Sequence, residues 1–390
     1  MKKPDVVVIG GGIVGCAVTY WLTRAGLFPL LIERGGIAGG SSGACMGHLM
    51  TMPDPYDMYQ LSHRSVELWA KFHDEEQSFE LRRCGCLWLG ESAEDGPTLE
   101  GIRDQLQGYG DPGEMINQAE LLAREPGLAS DLTGAFFYPK DAIVFPMQAA
   151  GALLQAAMRN GAEVLHHTAV QALRLDQGGR IEGVETSAGF VATPKVVNAA
   201  GVWVPELAEL AGLSRLPIFP RRGDLAITMP QDLPIHTQII EVAYLRTAAG
   251  KVVDPEDPAP DPGSCALNVQ PQSNGTLLIG SSRQFGGYDL RVNQALLSAS
   301  LVRAARFVPR IADLQLVRSW AGLRPYTRDK RPLIGPSRVE GLYIAGGHEG
   351  LGITLSMGTG EMIAQQITGQ ATSIPDGTFD PGRFEEVVHG

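Results

Sequence analysis

A chain of 390 residues is too long for one simple core and calls for two packed lobes. Its composition, 44% hydrophobic and 19% charged with 48 glycines, is that of a globular protein with many tight turns, and a net charge of −11 argues against general attraction to nucleic acid or to an anionic membrane surface. No run reaches the roughly 18 apolar residues of a membrane-spanning helix. The five cysteines are an odd number in a chain whose first residues lack the long apolar region of a secretory leader, which points to a reduced, cytoplasmic setting.

In chain order, Val6-Val-Val-Ile9 predicts a buried parallel strand, and Gly10-Gly-Gly12-Ile13-Val14-Gly15 a phosphate-binding turn that opens a helix stopping near Gly26. Each glycine has a reason: Gly10 permits the turn, Gly12 lets backbone N–H groups approach a pyrophosphate, and Gly15 lets the helix sit close to the strand. The helix N-terminus then offers unpaired donors to the phosphates. A second strand over residues 27–32 ends in Glu33, placed to accept hydrogen bonds from a ribose diol and to disfavour a 2′-phosphate; Arg34 follows it. A second cluster, Gly39-Gly-Ser41-Ser42-Gly-Ala44-Cys45-Met46-Gly47, reads either as a flexible loop or as a segment laid along the pyrophosphate and the edge of a cofactor ring.

Further on, an alanine-rich helix is expected over 147–160, a strand over 163–173, a turn at 177–180 and a strand ending at Val196-Val-Asn-Ala-Ala200-Gly201. Cys84-Gly-Cys86 lacks a second half, and His166-His167 on a strand would point to opposite faces, so no metal site is expected. The run of prolines and acids over 254–262 reads as an exposed loop. Near the end, a strand over 341–347 leads through a glycine-rich turn to a helix over 353–367 capped by Gly369.

These residues resemble the D-amino-acid oxidase superfamily of flavoproteins, which includes glycine oxidase, sarcosine oxidase and related amino-acid dehydrogenases. The likeness rests on the N-terminal motif with Glu33, on Ser41-Ser-Gly-Ala-Cys-Met-Gly47-His48, on Trp320-Ala-Gly-Leu-Arg324-Pro-Tyr326-Thr and on Gly347-His-Glu-Gly350-Leu351-Gly352-Ile353-Thr354. It implies an α/β fold in two lobes. A discontinuous Rossmann-like FAD lobe would comprise residues 1–85, 143–215 and 325–390, and a mostly antiparallel substrate lobe residues 86–142 and 216–324. FAD would be contacted by the first motif, Glu33, Arg34, the loop 41–47, Val170, Ala200, Gly201 and the turn 347–354. The resemblance gives Arg324 the substrate carboxylate, Tyr244 a supporting contact to it, and His48 and Tyr326 places facing the substrate.

The reaction this implies is oxidation of the C–N bond of a small amino acid or secondary amine, with a hydride passing to flavin N5 and no obligatory general base. Sarcosine oxidases tether FAD through a cysteine; none lies near Arg324, so noncovalent FAD is expected. Leu278 falls where those enzymes carry an oxygen-activating lysine, which implies a poor reaction with oxygen. Ser281-Ser-Arg-Gln-Phe285 and the turn at 347–354 are most similar to dehydrogenases for D-hydroxyproline and to a cyanide-forming glycine dehydrogenase subunit. The leading expectation is therefore a D-proline or cis-4-hydroxy-D-proline dehydrogenase that passes electrons to a partner protein or a respiratory-chain component, with peripheral attachment at the inner face of the membrane as a variant of the cytoplasmic setting. The alternatives are a glycine or sarcosine oxidase and a flavin subunit of a heteromeric complex.

Overall fold

Val6–Ile9, apolar at every position, is buried on both faces and forms parallel ladders with Pro29–Ile32 on one side and Val196–Asn198 on the other. The computed structural model describes residues 2–51, 54–245, 254–257 and 260–384; Arg246 and residues 258–259 of the proline-rich run lie outside them. Six strands make the first sheet, in the order Leu333–Pro336, Leu342–Gly346, Val196–Asn198, Val6–Ile9, Pro29–Ile32 and Glu163–Leu165. One face carries the helices Ile13–Arg24, Pro146–Arg159 and Gly352–Thr368, packed through Cys16, Ala17, Val18, Leu22, Leu153, Leu355 and Ile363. The other is covered by a three-stranded meander, Val170–Leu175, Ile181–Thr186 and Gly189–Ala192, whose Leu173, Ile181 and Val184 meet Val7, Ile9 and Leu30.

A second sheet of eight strands runs in the order Leu316–Thr327, Ile218–Thr228, Leu277–Phe285, Ser264–Pro271, Gln238–Glu241, Cys86–Gly90, Gly134–Tyr138 and Glu114–Asn117. It is antiparallel except where Gln238–Glu241 runs parallel to Cys86–Gly90. Alternation sorts its faces. Leu87, Leu89, Leu267, Val269 and Ile279 pack against Ala304 and Phe307 of the helix Gln294–Phe307, while Asn268, Gly322 and Arg324 look toward the first sheet; Ser281, two residues from Ile279, also lines the cavity because the ladder shifts register between Arg222 and Ala226. The long helix Tyr56–Glu76 joins the two regions, with Trp69 Nε1 donating to the Ile353 carbonyl at 3.0 Å.

Two local expectations are corrected. The strand expected over 163–173 is two strands, because Thr168 N–H turns to donate to the Glu33 carbonyl at 2.9 Å; His166 and His167 form that turn, with His167 at φ +51°. The second strand begins at Pro29, since Leu27 N–H is used to close the preceding helix on Leu22 O. Tyr244 lies in a helical turn beyond Gln238–Glu241. No described helix is long and apolar enough to cross a membrane.

Candidate active site

A cavity of about 710 Å³ runs between the two sheets. Its first wall is the glycine turn. Gly10 sits at φ +107°, with the space of a Cβ taken by the Ala199 carbonyl at 2.6 Å, and a Cβ on Gly15 would stand 1.9 Å from the Gly10 carbonyl oxygen. Only glycine allows the helix to press this close to the strand, so Gly15 lies beneath the cavity while Gly10, Gly12, Ile13 and Val14 line it. The helix has no cap of its own at Gly12; Ser42 Oγ accepts from Ile13 N–H at 3.0 Å and so draws the second glycine loop over the helix N-terminus. Glu33 accepts from Gly11 and Gly35 N–H, each at 2.6 Å, and lines the cavity with Arg34, Val170, Ala200 and Gly201.

The loop at 41–48 continues the wall, and Ser41, Ser42, Ala44, Cys45, Met46, Gly47 and His48 all face the cavity. What fixes it is the strand Leu316–Thr327. Ser41 donates to Leu323 O, Trp320 Nε1 donates to Ala44 O at 3.2 Å, and Gly322 leaves room where a Cβ would meet that of Ala44 at 2.8 Å. The Trp-Ala-Gly-Leu-Arg run thus holds the loop with three positions and presents Arg324 with the next. Burial pushes the Cys45 thiol up to about 12, so it stays protonated.

Gly350, Gly352 and Ile353, at the start of the helix Gly352–Thr368, bring its N-terminal dipole to the cavity. Gly347, Leu351 and Thr354 do not line it. Gly347 is at φ +76° against Thr327, and Leu351 packs into the apolar clusters on either side. Thr354 Oγ1 donates to His48 O at 3.0 Å and accepts from Met50 N–H at 3.2 Å, fastening the loop to the helix.

Arg324 is enclosed at the far end, where its guanidinium donates to Ser282 O at 2.9 Å and has no carboxylate bonded to it among the described residues. Burial lowers its pKa, with Glu349 acting in the opposite sense. Gly223 makes the room, since a Cβ there would lie 2.3 Å from Arg324 Nη1. Burial would raise the Glu349 carboxyl, but Arg221, Arg324 and Arg283 together hold it down at about 2. Arg221 pairs with Glu349 directly. Tyr244 lines the cavity and carries the Arg283 guanidinium 4.0 Å from its ring centroid. Tyr326 does not reach the cavity: it is buried against Arg221 and Phe285. Burial pulls His48 down to about 3, so it is a neutral ring; its Nε2, Asn268 Oδ1 and Ser281 Oγ are buried and have no hydrogen-bond partner among the described residues.

Sequence reasoning missed Gly223, Asn268, Ser281, Glu349, Trp203 and Glu206. Glu349 and Ser281 lay inside runs already singled out, and Trp203 follows directly on the Asn-Ala-Ala-Gly segment; nothing local marks Gly223, Asn268 or Glu206, which join the site only through the fold. The residues present fit FAD: glycines bare of Cβ where a diphosphate would pass, and a second glycine- and serine-rich wall beside them. Among the described residues no cluster of His, Cys, Asp and Glu is placed to hold a metal.

Comparison with known proteins agrees with this geometry. The sequence pattern of the family described as FAD dependent oxidoreductase (DAO) matches residues 5–366. Glycine oxidase of Geobacillus kaustophilus is 29% identical, over 99% of this chain and 97% of its own. A hydrogen cyanide synthase subunit of Pseudomonas aeruginosa is 27% identical, over 98% and 96%. The crystal structure of L-proline dehydrogenase from P. horikoshii superposes with a TM-score of 0.88 at 28% identity, covering 98% of each chain.

Proposed function

The chain belongs to the DAO family of FAD-dependent oxidoreductases, and from that premise we propose that it oxidises the C–N bond of a small amino acid, with D-proline or cis-4-hydroxy-D-proline as substrate. The observation that carries the reading is Arg324, a guanidinium at the end of the cavity with one backbone acceptor and, among the described residues, no carboxylate bonded to it. Its planar fork suits a substrate carboxylate, and it stays charged when desolvated. Tyr244 stands beside it as a second contact.

Bound FAD would supply the two-electron acceptor for the hydride leaving the carbon next to nitrogen. The chain's own part is orientation and exclusion of water. Arg324 fixes the carboxylate, the helix start at Gly352 turns its positive end toward the cavity, and the loop 41–48 closes the side. Neither cavity histidine is suited to take a proton at neutral pH, since burial holds His48 and His348 near 3, and Glu349 is held near 2. The amine therefore enters neutral or loses its proton to water.

Leu278, packed on Met46 and Leu225, leaves an apolar surface beside the loop and supports slow reaction with oxygen, with electrons going to a partner protein or a respiratory-chain component. That relatives include a named synthase subunit supports a partner. The division into an FAD lobe over 1–85, 143–215 and 325–390 and a substrate lobe over 86–142 and 216–324 belongs to the same reading; the strands of the six-stranded sheet all come from the first set, and those of the eight-stranded sheet from the second apart from the last residues of Leu316–Thr327. Noncovalent FAD is also part of it, since Cys45, the one cysteine among the described residues that line the cavity, is held protonated by burial. A glycine or sarcosine oxidase is the second reading, favoured by the glycine oxidase relatives.

The test is anaerobic titration of the purified flavoprotein with cis-4-hydroxy-D-proline, D-proline, sarcosine and glycine, followed by air. Bleaching of the flavin by the cyclic amino acids with slow reoxidation is expected. Bleaching mainly by glycine or sarcosine with fast reoxidation would replace this reading with the oxidase. Arg324→Ala should raise KM by more than about 100-fold while FAD content is kept, as befits loss of a buried charged contact.

A further inference from the structure

The carbonyl that holds Arg324 belongs to an irregular stretch of the eight-stranded sheet. Where Ile218–Thr228 pairs with Leu277–Phe285, Arg222 lies opposite Gln284 and Ala226 opposite Ile279, so residues 223–225 face the longer stretch 280–283. An extra residue on one strand of an antiparallel pair interrupts the ladder and re-aims the groups around it. Ser282 sits in that interval and uses both of its oxygens. Its carbonyl accepts from Arg324 Nη1 at 2.9 Å. Its hydroxyl accepts from Asp224 N–H at 2.8 Å and donates to Asp224 Oδ2, also at 2.8 Å. On the other side Ile218–Thr228 pairs with Leu316–Thr327 residue for residue as far as Ile227, so alternation holds along it: Gly223 and Leu225 line the cavity and Asp224 looks to the opposite face. There Asp224 Oδ1 accepts from Asn293 N–H at 3.2 Å, and Asn293 Oδ1 caps the helix Gln294–Phe307 by accepting from the N–H groups of Ala295 and Leu296. Ser282 is 0% and Asp224 1% exposed. A carboxylate in such a place is costly unless its oxygens are bonded, and here each has a donor.

We propose that Asp224 is a positioning residue for substrate binding: through the Ser282 hydroxyl it locks the Ser282 peptide, and the Ser282 carbonyl in turn orients the Arg324 guanidinium. Bidentate bonding to a carboxylate depends on the direction of the guanidinium fork. A carbonyl tied at its own residue to a buried carboxylate, and through that carboxylate to the start of a helix on the far face of the sheet, stops the fork from turning. Gly223 makes room for the guanidinium, and Asp224, its neighbour, sets where it points. The inference rests on Arg324 as the carboxylate ligand and not on which amino acid is oxidised.

The test is anaerobic stopped-flow reduction of the holoenzyme with whichever of cis-4-hydroxy-D-proline, D-proline, sarcosine and glycine reduces the wild-type flavin. Ser282→Ala removes the hydroxyl that joins Asp224 to the strand. Asp224→Asn offers one accepting end to two donors, the Ser282 hydroxyl and Asn293 N–H. Both variants should raise the half-saturating substrate concentration by about 10- to 100-fold, the range of a hydrogen bond to a charged group, with FAD content retained. In an Arg324→Ala background, compared through the slope of rate against substrate at low concentration, neither should cause a further loss, whereas a general fault in the sheet would lower the slope equally in both backgrounds. Should Asp224→Asn fail to fold, Ser282→Ala, which leaves the bond between Asp224 and Asn293 in place, carries the test alone. Wild-type half-saturation in Ser282→Ala beside an impaired Arg324→Ala would overturn the positioning role and leave the carboxylate clamp standing, as would an equal loss in both backgrounds. Wild-type half-saturation in Arg324→Ala would remove the clamp itself and this inference with it.

Discussion

Adding one methyl group at Gly223 tests whether the placement of Arg324 matters to turnover. An ideal Cβ at this position would lie 2.3, 2.6 and 2.7 Å from Nη1, Nη2 and Cζ of Arg324. Reaching ordinary contact distance requires the guanidinium to retreat by about 1 Å. The strand itself can stay, because Gly223 is paired in register with Gly322 and is not among the glycines at positive φ. Retreat breaks the 2.9 Å bond to Ser282 O and misaligns the fork proposed to hold the substrate carboxylate. A displacement of that size costs up to about 100-fold. Gly223→Ala is accordingly expected to lower kcat/KM for flavin reduction by about 10- to 100-fold, read by anaerobic stopped-flow, with flavin content and thermal midpoint close to wild type. In an Arg324→Ala background the same substitution should add nothing, since the group it displaces is gone. Wild-type kinetics in Gly223→Ala would refute the argument, and so would an equal further loss in the double variant.

Two other outcomes follow from the same structure. Gly15→Ala puts a Cβ 1.9 Å from the Gly10 carbonyl oxygen, where backbone on both sides leaves nothing that can turn aside; the protein should emerge without flavin or insoluble, and a flavin-to-protein absorbance ratio equal to wild type would count against the close approach. His48 is held at about 3 by burial, against an ordinary 6.5. Between those values the unfolded chain takes up a proton that the folded chain refuses, so the stability conferred by keeping this ring neutral is full above 6.5 and declines as pH falls toward 3, by about 2 kcal/mol at pH 5. His48→Gln should remove that share, so that the gap between variant and wild-type denaturation midpoints changes from pH 7 to pH 5; parallel curves would show that the ring is not buried uncharged.

The sequence by itself determined the parts whose physics is local. Val6–Ile9, the glycine turn and Glu33 are one uninterrupted stretch in which strand, turn and helix are set by φ freedom and apolar burial, and the loop from Ser41 to Gly47 and the arginine of Trp-Ala-Gly-Leu-Arg were legible because they are contiguous motifs. The sequence could not show that Trp320, Gly322 and Leu323 carry the loop, because those contacts join residues some 280 positions apart. Nor could it show why Tyr326, two residues from Arg324 and so on the same face of the strand, falls outside the cavity: Arg221, supplied by the neighbouring strand, stands against its ring. Gly223, Glu349, Asn268 and Glu206 acquire meaning only from what strand register and lobe packing set opposite them. Side-chain type and spacing encode the cofactor's backbone cradle, whereas the electrostatics of the Arg324 end, one carboxylate among several guanidiniums, arise from chain segments brought together by folding.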